Sequence, residues 1–268
     1  MDSSLFQKQL LILGLGNIGK AFIQRLLEIG FPKPQLAFFD SDPSRTQSAE
    51  TIFGLISTKN IHTAVNQADL ILLAIPPAAI LPWIREHQPM FRAGQILISL
   101  AATIPIKNIK EALQNSHVHV IRLLPNPPSM LGEGMNPVVF EEGAPREVRH
   151  LTNELLNIFG ESIEVKDEQM TWCVGLAGAA MRSVLPVLEG MTQAGVEAGL
   201  SPAEARRVAA QIFSGTSALL RRTEMSFDQI KALTPMQTVD EQAVAEIFVK
   251  AARQAKEKMD QAQIKLIS

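Results

Sequence analysis

The part of the sequence that most constrains the fold is a run of apolar residues, Leu10–Leu13, followed at once by the turn G-L-G-N-I-G. The run predicts a buried strand, and Ile18–Ile29 has the spacing of an amphipathic helix. Between them, Gly14 permits a tight turn, Gly16 lets the backbone approach a pyrophosphate, and Gly19 allows close helix–strand packing. The segment therefore predicts a dinucleotide-binding turn. A glycine-rich turn without a ligand is the alternative.

Short apolar runs alternate with amphipathic stretches as far as residue 166. Regular alternation of strand and helix implies right-handed crossovers and a mostly parallel sheet. The runs are continuous, as expected for strands covered on both faces. Residues 1–166 are therefore predicted to form an α/β, doubly wound dinucleotide-binding domain of the Rossmann type. The predicted strands are 10–13, 35–39, 70–75, 96–100, 118–123, 138–140 and 162–165, and the predicted helices are 18–29, 44–52, 106–113 and 147–159.

The remaining residues, 167–268, have a different composition. Most of the 16 prolines precede residue 166, and the later part is rich in Ala, Leu, Met, Gln and Glu. Most of these residue types favour helices. We predict an all-helical domain with long helices over 178–198, interrupted by Pro186, and over 203–222 and 239–258. Between the first two, Gly199 ends one helix, Ser201 caps the next and Pro202 takes its first position.

Composition excludes several classes of protein. The chain has 25 basic and 27 acidic residues, which provides no electrostatic surface for nucleic acid or an anionic membrane. The most apolar run, 70–84, is too short and too interrupted by proline to span a bilayer. No secretory signal is recognised in 1–9. One cysteine cannot form an internal disulfide, so we expect a reducing, cytoplasmic location.

The polar residue types set further limits. Five histidines are scattered without metal-ligand spacing, so no metal site is expected. The chain has no tyrosine, which removes one common general acid.

The end of the second predicted strand bears on cofactor choice. Asp40 stands about where a carboxylate receives a ribose 2′-hydroxyl, which favours NAD(H). Ser41, Ser44 and Arg45 are residue types that would hold the 2′-phosphate of NADP(H). In a third reading, Asp40 and Ser41 are only turn residues. The sequence thus predicts NAD(H) or NADP(H), with a preference for NAD(H).

Several motifs in order along the chain resemble those of the pyrroline-5-carboxylate reductases. The segment R-L-L-P-N-P-P at 122–128 is similar to that family's R-x-M-P-N-T-P. The glycine turn, the strand end at 73–76 and the segment 98–102 match in order. Residues 190–201 are similar to the family's E-A-x-x-D-A-G-V-x-x-G-L-x, and the resemblance covers essentially the whole chain.

This resemblance implies a dinucleotide domain followed by helices that interlock with a second subunit in a homodimer or higher homo-oligomer. It implies that Asn126 and the segment Ala101–Ala102 border the nicotinamide. The rest of the cofactor would be lined by the turn and by the next strand end, through Gly14, Gly16, Asn17, Ile18, Gly19, Ala74 and Pro76. The active site would lie between the nicotinamide and the partner's helices.

The sequence departs from the family where the resemblance places the substrate. The family's S-G-S-G-P-A is here A-G-A-A-M-R at 177–182, which keeps Gly178 but loses both hydroxyls. The family's S/T-P-G-G-T-T is here T-P-M-Q-T-V at 234–239, so its last threonine becomes Val239. Losing a hydroxyl that faces a buried polar group costs about 1–3 kcal/mol. We therefore expect a substrate other than pyrroline-5-carboxylate itself.

Replacement groups are present nearby. Arg182 could bind a carboxylate, Thr238 could supply a hydroxyl, Gln237 an amide, and Glu224 a proton relay. Each has a structural alternative. In these alternatives, Arg182 faces solvent or pairs with an acidic neighbour, Thr238 caps the last helix, and Glu224 lies in a solvated bend.

The sequence leads to three functional hypotheses. The first is an NAD(P)H-dependent reductase of a cyclic imine, related to pyrroline-5-carboxylate reductase but shifted in substrate. The second is a dinucleotide-binding regulatory protein without catalysis. The third is an ordinary pyrroline-5-carboxylate reductase that makes proline.

Overall fold

The computed structural model describes residues 4–55, 57–58, 60–114 and 117–267. Its centre is a seven-stranded sheet in the order β2-β1-β3-β4-β5-β6-β7. The first five strands are parallel, β6 runs antiparallel to β5, and β7 runs parallel to β6. A doubly wound, mostly parallel sheet is thereby confirmed. The strands are β1 Leu10–Leu13, β2 Leu36–Phe39, β3 Leu70–Leu73, β4 Ile96–Ser99, β5 His119–Leu123, β6 Gly134–Phe140 and β7 Gly160–Glu164.

Eleven α-helices lie in the described residues. They are α1 Asn17–Glu28, α2 Pro43–Phe53, α3 Ile61–Gln67, α4 Pro77–His87, α5 Ile106–Ala112, α6 Arg146–Phe159, α7 Met170–Cys173, α8 Ala180–Glu197, α9 Pro202–Arg222, α10 Phe227–Ala232 and α11 Glu241–Ile267. A π-helical turn, Val174–Gly178, follows α7. The expected start of α9 is confirmed, because Ser201 caps it and Pro202 is its first residue.

The continuous apolar strands supply two core layers. In β1, Leu10 and Ile12 belong to one hydrophobic cluster, and Leu11 and Leu13 belong to the other. The first cluster includes the buried faces of α1 and α6, where the rings of Phe22 and Phe159 stack with centroids 3.9 Å apart. The second includes residues of α4 and α5. Both faces of the sheet are therefore covered, which is why its strands do not alternate.

The chain forms two compact units. The first comprises residues 1–178 with 254–268, and the second comprises 179–253. The first unit extends past the predicted boundary between 166 and 167, because Met170 and Cys173 pack with Ala102 and Val139 of the α/β core. The C-terminal end of α11 also belongs to it, since Leu266 packs against the second core cluster.

The structure adds elements that the sequence patterns did not indicate. Helices α3 and α4 occupy a stretch where no helix was expected, and α4 contains Pro82 in its interior. Pro77 lies in the first turn of α4, where a missing N–H costs little. The last helix begins at Glu241 rather than Val239 and extends to Ile267.

One helical stretch, residues 167–197, is long and apolar enough to cross a membrane by length and composition alone. Only 22% of its most apolar window is buried within the chain. An apolar, exposed helix needs a covering surface.

Candidate cofactor and substrate site

The glycine turn joins β1 to α1 and lies between the ends of β2 and β3. Gly14 has φ +96°, a left-handed conformation that favours glycine. A Cβ on Gly14 would collide with the carbonyl oxygen of Ala74, and one on Gly19 with the carbonyl oxygen of Gly14. These two glycines are therefore required by the packing of the turn itself.

Gly16 is different, because nothing lies within 4 Å of the place where its Cβ would stand. Its backbone, at φ −67° and ψ −172°, is one that any residue can adopt. It precedes α1, and no side chain in the described residues caps that helix. Among the described residues, the N–H groups of the first turn, including those of Asn17 and Ile18, have no side-chain cap and lie at the positive end of the helix dipole. This cradle fits the diphosphate of a dinucleotide.

A cleft of about 500 Å³ opens beside the turn. It lies at the carboxyl ends of β1, β2 and β3, where ligands bind in open α/β sheets. Its walls come from the turn, the loop after β2, the end of β3 and one side of α4. The lining residues are Leu13, Gly14, Gly16, Phe39, Asp40, Ser41, Asp42, Arg45, Ala74, Ile75, Pro76, Ala79 and Trp83.

The carboxylate of Asp40 is directed into the turn. Its Oδ2 accepts a hydrogen bond from the Leu15 N–H at 2.7 Å, and its Oδ1 accepts one from the Asp42 N–H at 2.8 Å. Only 7% of the side chain is exposed. Asp40 therefore fastens the glycine turn to the loop after β2, and contact with a ribose stays a prediction.

Ser41 and Arg45 occupy the open part of the same cleft. Ser41 is exposed, and the Arg45 side chain is 54% exposed with its Nη1 3.8 Å from Asp40 Oδ2. An exposed cation and an exposed hydroxyl suit a 2′-phosphate. The argument that Asp40 favours NAD(H) is weakened, because the accessible groups here are those that accept NADP(H).

A second, smaller cleft of about 230 Å³ shares Ala74 and Ile75 with the first and is also lined by Ile18, Leu100, Leu124 and Pro125. The buried segment Ala101–Ala102 follows Leu100 directly. Its position is fixed by Arg122, a strand residue that is 1% exposed and donates from Nη2 to the Ala102 carbonyl oxygen.

Arg122 also forms an ion pair with Asp167, and its Nη1 donates to the Asp167 carbonyl oxygen at 3.2 Å. Burial lowers the pKa of Arg122, while the charge of Asp167 opposes the shift. An arginine in a protein nevertheless remains charged. Arg122 therefore links the cleft wall to the start of α7. The sequence signal for this link is a lone arginine in an otherwise apolar strand.

Asn126 is buried at the end of β5, and its side chain is held on both sides. Its Nδ2 donates to the Ala177 carbonyl oxygen at 3.3 Å, and its Oδ1 accepts from the Met135 N–H at 3.2 Å. The Ala177 carbonyl belongs to the π-helical turn that ends at Gly178. Such turns are frequent at functional sites. The predicted site residues Asn126 and Gly178 are therefore brought into one local framework.

The other predicted substrate residues lie in the helical unit and are exposed. Arg182 is in the first turn of α8, Glu224 follows α9, and Gln237 and Thr238 precede α11. Within the described residues, no hydrogen bond or ion pair joins one of these four to another. Thr238 is not the cap of α11, because Asp240 Oδ1 accepts from the Ala243 N–H at 2.9 Å.

Reactive groups of other kinds are scarce. Across the described residues, no group of three or more His, Cys, Asp or Glu side chains is placed to hold a metal ion. Burial raises the pKa of the Cys173 thiol, which is consistent with a packed side chain rather than a nucleophile.

Known protein families match both parts of the chain. Residues 9–103 match the family model for NADP oxidoreductase, coenzyme F420-dependent, and residues 167–262 match that for pyrroline-5-carboxylate reductase dimerisation. A pyrroline-5-carboxylate reductase of Corynebacterium melassecola is 24% identical over 224 residues, which cover 82% of this chain and 83% of that protein. One from Escherichia coli K12 is 26% identical over 221 residues, 81% of each chain.

A solved structure shows the same fold. The pyrroline carboxylate reductase of Plasmodium falciparum, determined with NADP bound, superposes with a TM-score of 0.82 at 19% identity and covers 95% of this chain and 97% of that one.

The fold and cleft, with these matches, define an NAD(P)-dependent oxidoreductase with a Rossmann domain and a helical dimerisation domain. Residues 167–262 match the dimerisation domain of the pyrroline-5-carboxylate reductases, and the chain is similar over most of its length to members of that family, which act on C=N bonds. The exposed helices, including the apolar stretch 167–197, fall in the dimerisation segment, which supports assembly of the chain as a homo-oligomer.

Proposed function

We propose that this protein is a cytoplasmic NAD(P)H-dependent reductase that transfers hydride to the carbon of a cyclic imine. The observation that carries the proposal is the open cradle at Gly16 beside the two clefts, in a chain with the family's dimerisation segment. The reduced nicotinamide supplies the hydride when it is bound. The protein supplies binding, orientation and exclusion of water.

In this proposal, the residues of the α/β unit position the cofactor. The N–H groups at the start of α1 hold the diphosphate, and Gly16 leaves room for it. The buried segment Ala101–Ala102 provides a small apolar wall for the reacting end, held in place by Arg122. Asn126 keeps the π-helical turn against the same end of the sheet.

Proton delivery requires little from this protein. A cyclic imine is basic and can bind already protonated, so a strong protein acid is not needed. The candidate donors are Thr238 and, as a relay, Glu224. Both are exposed in the single chain. We infer that the homodimer brings them to the substrate.

We further propose that the substrate differs from pyrroline-5-carboxylate. Alanines at 177 and 179 and Val239 stand where the family carries hydroxyls. Each lost hydrogen bond to a buried substrate group costs about 1–3 kcal/mol. Arg182 binds the substrate carboxylate from a new direction, with Gly178 leaving room for it and Gln237 contacting its polar edge.

The test is a panel of cyclic imines, with and without a carboxylate, followed by oxidation of NADH and NADPH. We expect turnover of at least one imine and a kcat/KM for pyrroline-5-carboxylate at least tenfold below that of a family member assayed alongside. Equal kcat/KM values would overturn the substrate shift. Cofactor binding without turnover of any imine would favour a regulatory role.

The role of Arg182 is tested with carboxylated imines. Arg182→Ala should raise KM about tenfold or more, because a charge-assisted bond is lost, whereas Arg207→Ala on α9 should not. If a carboxylate-free imine is reduced, equal kcat and KM values for it in Arg182→Ala and Arg207→Ala would show that Arg182 acts on the carboxylate alone. Equal KM values for the carboxylated imine would contradict the role.

Ordinary proline formation is the second candidate. It is favoured by the relatives, which are pyrroline-5-carboxylate reductases and match 80–84% of this chain. It predicts saturable reduction of pyrroline-5-carboxylate in spite of the altered segments.

A further inference from the structure

Trp83 is a feature of the larger cleft that the proposed function does not use. The chain has two tryptophans and no tyrosine, so large polar aromatics are scarce. Trp83 lies on α4, is half-buried, and lines the cleft together with the loop after β2.

The Trp83 ring is held rigidly on one side. It stacks on His87, one helical turn further along, with centroids 4.4 Å apart and planes at 14°. The His87 ring is itself fixed, because its Nδ1 donates to the Trp83 carbonyl oxygen at 2.9 Å. Phe91 meets the indole edge-on, with centroids 6.2 Å apart. The indole is therefore positioned before any ligand arrives.

The residue one helical turn before Trp83 is small. This residue, Ala79, lies on the opposite side of Trp83 along α4 from His87 and lines the cleft together with Trp83. A methyl group cannot cover an indole. Because His87 stacks on one face of the ring and Trp83 itself lines the cleft, we infer that a ligand in the cleft meets the other face.

The order of the strands determines which part of a dinucleotide comes there. The diphosphate belongs at the start of α1, and the ribose of the adenosine half belongs at the end of β2. The smaller cleft, lined by Leu100, Leu124 and Pro125, lies at the ends of β4 and β5 and receives the other half. The adenosine half therefore enters the cleft between Arg45 and Trp83.

We propose that Trp83 is the stacking platform for the adenine ring of the cofactor. This inference rests on cofactor binding in the proposed function, but not on which imine is reduced. An adenine has two π-faces, and an indole already packed on its far side loses little freedom when a base stacks on it.

The test uses ADP, which carries adenine and diphosphate but no nicotinamide. In Trp172→Phe, Trp83 is the sole tryptophan, and ADP should quench its fluorescence with a saturable curve. In the matched variant Trp83→Phe, only Trp172 remains. That residue does not line the cleft, and its ring lies 5.6 Å from Lys256 Nζ, so ADP should change its emission little.

Affinity gives an independent measurement by calorimetry. Trp83→Ala should weaken ADP binding about tenfold to a hundredfold, the range for loss of one base–aromatic stack. Trp83→Phe should retain most of the affinity. Ala79→Leu keeps the indole but covers its open face, so it should also weaken ADP. Reduced nicotinamide mononucleotide should bind all variants equally.

Two results would overturn the assignment: equal ADP affinity in wild type and Trp83→Ala, or quenching that stays with Trp172. If ADP quenches Trp83 but no imine is reduced, the proposed reaction fails and the adenine platform stands. If imines are reduced with unchanged kinetics in Trp83→Ala and ADP binding is unaffected, only the platform fails.

Discussion

The α/β unit and the helical unit differ in how far one chain completes its part of the site. In the α/β unit, the side chains of Asp40 and Asn126 are buried and hydrogen-bonded within the chain. In the helical unit, Met236 is 77% exposed and Val239 57% exposed, beside the candidate residues Gln237 and Thr238. The cofactor side is thus formed by contacts within the chain, whereas we propose that a second subunit completes the substrate side.

Exposed apolar side chains on α9 and α11 support the same contrast. Ile212 is 54% exposed and Ile247 63% exposed. Burying a side chain of this size is worth about 1.5–3 kcal/mol, so a series of them provides a strong reason to associate.

The largest expected effect comes from a substitution that disrupts association through the helical unit and leaves the α/β unit intact. Ile212→Asp places a charge on an exposed apolar face that we expect to lie in the interface, so we expect monomers in light scattering and at least a hundredfold loss of imine reduction. NADPH affinity, measured by fluorescence, should change little because the cofactor side is complete in one chain.

The control is Ile52→Asp on α2, an equally apolar and exposed residue of the other unit. It should leave both mass and activity unchanged. Retained activity in a monomeric Ile212→Asp protein would show that the substrate site does not need a partner.

The next largest effect is a loss of folding stability in the α/β unit. Arg122→Ala removes a buried cation that holds both Asp167 and the Ala102 carbonyl, and loss of a buried pair costs about 3–5 kcal/mol. Asp167 is 32% exposed, so we expect the lower end, about 3 kcal/mol, in chemical denaturation. Lys107→Ala breaks the exposed pair with Glu111 and should cost less than about 1 kcal/mol. Similar losses in both variants would contradict this reading.

A smaller effect sharpens the description of the cleft. Arg45→Ala should weaken NADPH about tenfold, because a 2′-phosphate loses a charge-assisted partner, while NADH should change less than threefold. Titration of both cofactors into the variant measures the ratio. An equal loss for the two would place Arg45 outside the 2′-phosphate site.

The smallest expected effect concerns the end of the sheet that lies away from the cofactor cleft. Burial raises the pKa of Glu141, but hydrogen bonds from Lys110, His119 and the Val120 N–H outweigh it and hold the pKa below its usual value. A lowered carboxyl pKa stabilises the fold above the unfolded-state pKa, and this contribution disappears as pH falls through the folded-state value. Glu141→Gln should therefore cost about 1 kcal/mol at neutral pH. Its deficit should shrink as pH falls below the unfolded-state pKa of about 4.3, and a constant deficit would contradict the linkage.

Much of the fold follows from local patterns. Strand β1 and helix α1 surround glycines whose conformation and packing the backbone requires, so short-range chemistry defines them. Helix α4 was missed because Pro76, Pro77 and Pro82 read as interruptions, although two of them lie at its start. The return of Leu266 to the α/β core could not be seen in the sequence, because it joins residues that are distant along the chain.

The site was less predictable. The cradle at Gly16 follows from spacing alone, but the orientation of Asp40 depends on which backbone N–H groups come within reach of its carboxylate. Trp83 became significant only when folding placed it across the cleft from the loop after β2. Roles for Arg182 and Thr238 depend on a second chain, which the pattern of one sequence does not locate.

The two hydrogen bonds of Asp40 affect how this protein could acquire a different coenzyme preference. A change of preference made directly at residue 40 would release the glycine turn before it altered discrimination, so such variants should first appear as poor binders of both coenzymes. Viable mutational routes therefore lie at Ser41 and Arg45, where exposed side chains can be exchanged without disturbing the turn. Engineering or natural drift between the two coenzymes should leave Asp40 unchanged.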